Sequence, residues 1–255
     1  MGKIEESSLF KRLIRKDPVN EIGISTITKL EEAIRGSRTQ EASDLCRYLL
    51  WEGKRLHDGF CDWIYSLTTY IADHFGEEEL YKALRFNAEL WKPLQDVIPL
   101  ITIEEFVHFN AETMRVHRSG PGEKGNITVT EESDRFVLTF DPCGAGGRMR
   151  RIGETDKTPP RTEPPYNLGK TKNAYPWSWG KKGVIYYCLH CCMMSEIMPI
   201  EWGGFPVRVC EYPDNPNDPC VWIFYKEPEL IPEKYYTRVG KKKDLKMIKK
   251  VWKKN

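Results

Sequence analysis

The chain has 255 residues, 40% of them hydrophobic and 30% charged, and a formal net charge of +2 at pH 7. This composition is typical of a globular protein with one large domain or two small ones, and the near-neutral charge argues against a nucleic-acid partner. We expect a cytoplasmic protein, because no apolar run reaches the roughly 18 residues that predict a membrane span and the charged N-terminus lacks a signal-peptide core.

The N-terminal half, residues 1–120, has helical periodicity throughout. Gly53 and Gly59 interrupt the longest segment and predict a kink or break there. Thr102 is followed three residues later by Glu105, which predicts a capping box at the start of the last helix. The predicted helices cover 26–34, 41–75, 77–96 and 102–117.

The hydrophobic pattern changes from helical to alternating near residue 120. Segments 127–130 and 136–140 alternate around an acidic turn, which predicts a β-hairpin. We therefore expect an α+β protein in which a helical region, 1–120, packs on an α/β domain, 127–240, with a mixed or antiparallel sheet. A basic helix over 241–255 follows; a partner, an anionic surface or solvent would each suit its lysine-rich side.

Five of the eight cysteines lie between residues 186 and 225. They are Cys188, Cys191, Cys192, Cys210 and Cys220. A C-x-x-C pair followed by two more thiols at this range is typical of a tetrahedral zinc site, which predicts Cys188, Cys191, Cys210 and Cys220 as ligands. Cys192 or His190 could replace one of them. An iron–sulfur cluster would use the same thiols, and buried reduced cysteines that bind no metal are the remaining alternative.

The local patterns within this stretch bring the thiols together. A helix is predicted over 191–200, and strands over 205–212 and 221–225 flank a turn rich in Pro, Asn and Asp. A hairpin would place Cys210 beside Cys220, and the helix would present Cys188 or Cys191 to them.

A glycine-rich stretch, 141–151, precedes the cysteines. Its glycines allow the backbone to approach a ligand closely, and Arg148 and Arg150 are suited to bidentate binding of a carboxylate. Cys143 is a candidate nucleophile, since neighbouring cations lower a thiol pKa, or a further metal ligand. The alternative is a tight glycine turn with a solvated basic tail.

Aromatic residues are dense between 166 and 180. Tyr175, Trp177 and Trp179 predict the wall of a pocket for a ring-bearing anion, together with Arg148 and Arg150. In this interpretation Cys143 and His190 are the catalytic residues, which attack or move a proton. A loop that its aromatic residues fix to the core is the alternative.

The order of elements over 186–225 resembles the 4-vinyl reductase domain family and its relatives, the aminothiazoline-carboxylate hydrolase-like proteins. The similar features are Cys188 and Cys191 on a helix, the strand 207–211, and the sequence Asp218-Pro219-Cys220 leading into a closing strand. The resemblance implies an α/β domain with a zinc site beside a small-molecule pocket.

Two classes of function follow. The first is a metal-dependent hydrolase or lyase acting on a small carboxylated cyclic or aromatic compound, with zinc polarising a substrate group or activating water. The second is a non-catalytic, sensor-like module that binds a small molecule and carries a structural zinc. Neither requires a protein partner, and a homodimer is left open.

Overall fold

The computed structural model describes residues 3–8, 12–119, 121–154 and 157–252. Contacts divide the chain into two compact units, Met1–Phe60 and Cys61–Asn255. The division falls inside one long helix, whereas the change of pattern near residue 120 predicts a boundary there. The helices that follow residue 75 therefore belong to the same unit as the sheet.

The first unit contains a two-stranded antiparallel hairpin and helical segments. Its elements are β1 (Lys3–Ser7), β2 (Arg12–Lys16), a 3₁₀ turn (Val19–Glu21), α1 (Thr26–Arg35) and the first part of α2 (Thr39–Phe75). The prediction of helix throughout 1–120 is wrong for the hairpin, because five-residue strands rich in charge carry too few apolar residues to show a period of two. Ser25 caps α1 as expected, accepting from the Thr28 N–H.

Helix α2 is a single element of 37 residues. Of the kink or break predicted at Gly53 and Gly59, the break is therefore wrong. A helical glycine costs about 1 kcal/mol relative to alanine, which the hydrogen bonds of a long helix outweigh.

In the described part of the second unit, eight further helices, α3 to α10, accompany a four-stranded sheet, so the predicted α+β class is confirmed. Its first elements are α3 (Glu77–Ala88), 3₁₀ (Glu89–Trp91), α4 (Lys92–Val97), 3₁₀ (Ile98–Leu100), α5 (Ile103–Val116), 3₁₀ (Pro121–Glu123), β3 (Thr128–Glu131), β4 (Arg135–Phe140) and α6 (Gly146–Met149). The capping box that begins α5 is present as predicted.

The second half of this unit carries the cysteine-rich stretch. Its elements are 3₁₀ (Pro176–Ser178), 3₁₀ (Tyr186–Cys188), α7 (Leu189–Cys192), a π-helical segment (Met193–Ile197), α8 (Met198–Gly203), β5 (Val209–Glu211), β6 (Cys220–Tyr225), 3₁₀ (Pro228–Leu230), α9 (Lys234–Thr237) and α10 (Leu245–Val251). Segments α7 to α8 follow one another directly, and the predicted helix over 191–200 lies within them.

The sheet is antiparallel throughout, with strand order β3-β4-β6-β5. Both predicted hairpins are confirmed. Helix α5 packs against the sheet, where the Phe106 and Phe224 rings meet edge to face at 5.6 Å between centroids. This packing buries the sheet face that carries Phe140, Trp222 and Phe224.

The basic helix α10 is fixed to the core by its apolar side. Ile248 is fully buried, and the Trp252 ring meets Phe205 edge to face at 5.6 Å while its Nε1–H donates to Glu227. Within the described ranges, no helix combines the length and the apolar character that crossing a bilayer demands.

Candidate functional site

Antiparallel pairing places two thiols on one face of the sheet. Cys210 lies opposite Trp222, and Cys220 lies two residues before Trp222 on the same strand. Side chains two residues apart share a face, so Cys210 and Cys220 are diagonal neighbours. Cys220 also lies opposite Phe140, the last residue of β4, and Cys143 follows that residue by three positions.

The glycine-rich turn after β4 packs directly against Cys188. A Cβ placed on Gly146 would overlap the Cys188 Sγ, and one placed on Gly144 would overlap the carbonyl of His117. The sequence predicts that these glycines let the backbone approach a ligand closely. In the structure, the backbone instead approaches the Cys188 side chain and the carbonyl of His117, the residue that ends α5.

Five thiols converge where these elements meet; we call Cys143, Cys188, Cys191, Cys210 and Cys220 the cysteine cluster. All are free thiols in this structure. Burial is the main cause that raises the pKa of Cys188 and of Cys220, and neighbouring cluster thiols raise both further. The four predicted ligands and the candidate nucleophile Cys143 therefore lie on neighbouring elements, and their binding of a metal stays a prediction.

Cys191 is the exception within the cluster, because its pKa is lowered. The main cause is a hydrogen bond from the Cys210 thiol, and the nearby Arg208 guanidinium adds to it. The pKa of Cys210 is raised by burial and by this same hydrogen bond. Cys191 is therefore the thiol of this pair that ionises first.

His190 sits beside Cys191 in one defined tautomer. Its Nδ1 lies within hydrogen-bond distance of the Tyr187 carbonyl, which only accepts, so Nδ1 carries the proton. Burial lowers the pKa of His190 and keeps the ring neutral. Its Nε2 is then an acceptor 3.4 Å from the Cys191 Sγ, placed to take a proton or to bind a metal.

Two arginines flank the cysteine cluster. Arg150 lies 4.6 Å over the Tyr212 ring and donates to the Pro213 carbonyl, while Arg208 lies 3.6 Å over the Trp222 ring and donates to the Asn110 side-chain oxygen. Arg150 lowers the pKa of Cys188 and Arg208 that of Cys191, although other causes outweigh Arg150 at Cys188.

All these partners of the two arginines are uncharged. In the parts of the chain that the structure describes, neither Arg150 nor Arg208 forms an ion pair with a carboxylate. Sequence reasoning did not select Arg208; the signal available was its position beside Cys210 in an alternating strand.

Glu196 is a second residue that the sequence did not single out. Its carboxylate is fully buried and accepts from the Trp179 Nε1–H, the Cys210 backbone N–H and Arg238. Burial raises the pKa of Glu196, and the charge of Arg238 opposes that shift. It lies in the π-helical segment, a distortion that is frequent at functional sites.

Arg148 has different partners from Arg150 and Arg208. It is buried and donates to Asp62 at 3.2 Å, and Arg161 binds the same carboxylate at 2.9 Å. These contacts give Arg148 a role in joining the glycine-rich turn to α2. Its predicted role in binding a substrate stays a prediction.

The aromatic stretch packs on its own unit. Trp177 stacks on Tyr175 at 4.7 Å and lies 5.6 Å from Tyr81 of α3, and the Tyr175 hydroxyl donates to Glu77. Trp179 stacks on Tyr212, the residue that supports Arg150. These contacts fix the loop to the core, and Trp179 also donates to Glu196. The predicted role of the three aromatic residues as a pocket wall stays a prediction.

Within the described residues, no three or more His, Cys, Asp or Glu side chains are already arranged to hold a metal ion. Comparisons with models of protein families, with curated proteins and with solved structures found no match to this chain. The function is therefore inferred from the residues themselves, and the resemblance to the 4-vinyl reductase family stays a prediction.

Proposed function

We propose that the cysteine cluster binds one zinc ion per chain and that this centre acts on a small carboxylated compound. The observation that carries the proposal is the pair of arginines, Arg150 and Arg208, held by uncharged partners beside five converging thiols. A guanidinium removed from water needs a compensating negative charge.

Thiolates supply that charge only when they are ionised. Four thiolates and one divalent ion carry two net negative charges, which equals the charge of the two guanidiniums. Protonated thiols would leave the buried Arg150 without a counter-charge, whereas water reaches the half-buried Arg208. The arrangement of charges therefore favours a metal–thiolate centre over buried, reduced cysteines.

Zinc binding requires the thiol side chains to turn towards a common centre with sulfur–zinc distances of about 2.3 Å. Such ordering is usual when metal binding and folding are coupled. The elements that would hold the ligands are already in place: the end of β4, the start of α7, and the β5–β6 hairpin.

For the reaction, we propose a hydrolase or lyase whose substrate is a small carboxylated cyclic or aromatic compound. Cys143 and the neutral His190 are the candidate catalytic residues, and Arg150 is the candidate carboxylate ligand, because it is next to the cluster and has no carboxylate partner in the described chain. Zinc would polarise the bond that breaks or activate water.

A second candidate is a non-catalytic, sensor-like module with a structural zinc. Four thiolate ligands form a closed coordination shell, which is typical of structural zinc rather than catalytic zinc. In this second candidate function, the protein binds zinc and a small molecule but catalyses no reaction.

The first test is metal content. We expect about one zinc per chain by elemental analysis of protein purified from zinc-supplemented cells, and a thiolate-to-metal charge-transfer band after exchange with Co²⁺. Protein that is folded, free of metal and unable to bind added Zn²⁺ or Co²⁺ would contradict the proposal.

The second test separates the two candidates. The zinc-loaded protein is incubated with benzoate and with thiazoline-4-carboxylate, and proton NMR follows both binding and turnover. Turnover that Arg150→Lys weakens supports the enzyme. Binding without turnover, with an unchanged Co²⁺ spectrum, supports the sensor-like module.

A further inference from the structure

We infer that the surface around helix α10 docks on the anionic face of a lipid bilayer. Its lysines would contact the acidic headgroups, and two exposed leucines would enter the layer between the headgroups and the acyl chains. Docking of this kind needs neither zinc nor the cysteine cluster. The lysine–leucine surface, as we call it, consists of Leu230, Lys242, Leu245, Lys246, Lys249 and Lys250.

The positive charge of the chain is concentrated near its C-terminus. Residues 241–255 contain eight lysines and one aspartate, whereas the formal net charge of the whole chain is only +2. The rest of the chain is therefore acidic overall. A local excess of one sign attracts a partner of opposite charge even when the net charge of the protein is small.

Helical periodicity places the lysines of α10 on the side that faces solvent. Ile248 is fully buried, and Lys246 and Lys250 each lie two residues from it, close to the opposite side of a helix with about 3.6 residues per turn. Lys249 follows Lys246 by three residues and so shares its face. All three lysines are exposed. The apolar side therefore fixes the helix to the core, and the lysine side is left for a partner.

Two acidic groups next to α10 are already engaged. Asp244 caps the helix by accepting from backbone N–H groups of its first turn. Glu201 accepts from Lys241 and Arg85. Four exposed lysines form no ion pair within the ranges that the structure describes, and these are Lys242, Lys246, Lys249 and Lys250. Their charges are available to an anionic partner.

Two exposed leucines lie beside these lysines. Lys243 donates to the carbonyls of Glu229 and Ile231, at 2.6 and 2.7 Å, and so holds the segment that contains Leu230 against the start of α10. Leu245 is the first residue of α10. Leu230 and Leu245 are 49% and 48% exposed. Lysines next to exposed apolar residues are typical of surfaces that bind at a membrane interface.

A lipid surface suits this combination better than a nucleic acid does. Nucleic-acid sites combine phosphate contacts with groups that read bases or stack on them, often arginine or aromatic side chains. The exposed side of α10 instead carries lysines and Leu245. Leucines gain nothing from a phosphodiester backbone, whereas the interfacial layer of a bilayer removes them from water.

The test measures binding of the full chain to vesicles of phosphatidylcholine with about 30% phosphatidylserine, and to vesicles of phosphatidylcholine alone. We expect at least tenfold tighter binding to the anionic vesicles, and binding that weakens as salt is added. The triple variant Lys246→Gln/Lys249→Gln/Lys250→Gln should lose at least tenfold in affinity, because each lysine contributes about fivefold. These side chains are exposed, so we expect the variant to fold as the wild type does.

The matched control replaces three exposed lysines of other segments and so changes the net charge equally. It is Lys124→Gln/Lys170→Gln/Lys182→Gln. We expect this control to bind anionic vesicles within threefold of the wild type. Equal losses in the two triple variants, or equal binding of the wild type to both kinds of vesicle, would overturn the docking surface.

A second variant, Leu230→Ser/Leu245→Ser, separates a bilayer from a nucleic acid. It should weaken binding to anionic vesicles severalfold, since the two apolar side chains no longer leave water. Fluorescence anisotropy with a double-stranded DNA and a single-stranded RNA oligonucleotide provides the comparison. Lysine-dependent binding to either oligonucleotide, without binding to the anionic vesicles, would assign the surface to a nucleic acid and refute the inference.

Discussion

Glu196 connects the cysteine cluster to the rest of the core. Its carboxylate is fully buried and binds Arg238 through both oxygens, at 2.9 and 3.0 Å. It also accepts from the backbone of Cys210 and from the indole of Trp179. Arg238 also pairs with Glu211 at 3.1 Å, but Glu196 is the fully buried carboxylate of this group, so its position should be sensitive.

We expect Glu196→Ala to lower the free energy of unfolding by about 3 kcal/mol, because the Trp179 indole and the Cys210 N–H would lose their buried acceptor and Arg238 would keep only the more exposed Glu211. Urea denaturation followed by tryptophan fluorescence measures the change. The matched control is Glu104→Ala, whose side chain is 72% exposed and which should change stability by about 0.5 kcal/mol or less. Equal effects at the two positions would contradict the role of the ion pair.

Gly146 is the second residue whose environment leads to a prediction. A methyl group there would displace the Cys188 Sγ, so Gly146→Ala should lose stability and zinc affinity together. The control is Gly59→Ala in helix α2, where nothing lies within 4 Å of the added Cβ. We expect this control to stabilise the chain by about 0.5–1 kcal/mol, because alanine is the better helix former. Thermal melts and zinc titration measure both effects.

Among the elements, α8 is fixed to its neighbours through one carboxylate. Glu201 accepts from Arg85 of α3 at 2.6 and 2.9 Å and from Lys241 after α9 at 2.6 Å. The Arg85 hydrogen bond is the main cause that lowers the pKa of Glu201, and Lys241 contributes. A carboxylate also fixes the start of helix α5, where the Glu105 side chain completes the capping box that the sequence predicts.

The lowered pKa of Glu201 predicts a pH dependence of stability. A carboxyl group whose pKa is lower in the folded state stabilises the fold above its ordinary pKa of 4.5, and that contribution disappears as the pH falls through the folded-state value. Glu201→Gln should therefore cost about 1–2 kcal/mol at pH 7 and progressively less below pH 4.5. Urea denaturation of the variant and the wild type at pH 7 and below pH 4.5 tests this prediction. A loss in the free energy of unfolding that is the same under the two conditions would contradict it.

At the scale of the whole molecule, all the cluster cysteines belong to the second compact unit. Zinc that binds only the folded state should stabilise that unit by about 2.7 kcal/mol when free zinc exceeds Kd a hundredfold. We expect a chelator to lower its unfolding temperature and to speed amide hydrogen exchange in β4, β5, β6 and α7. Exchange in α1 should not change. Faster exchange confined to α1 would contradict the location of the site.

The sequence by itself determined the elements whose signals are local. The capping box at Thr102, the cap at Ser25, the two hairpins and the α+β class all follow from short-range periodicity and turn chemistry. Cysteine spacing predicts that four of the thiols bind one metal ion, and this stays a prediction. The unbroken α2 and the hairpin before α1 were not predicted, because a glycine penalty and a five-residue strand give weak local signals.

Only the tertiary structure decided which partners meet across long sequence separations. It tied Arg148 to Asp62, placed Arg208 over the Trp222 ring, and packed Gly146 against the Cys188 Sγ. Nothing near these residues in the chain identifies such partners, since each contact depends on strand register or on helix packing. The structure decides them because burial makes the location of each charge and thiol energetically costly unless its partners are present.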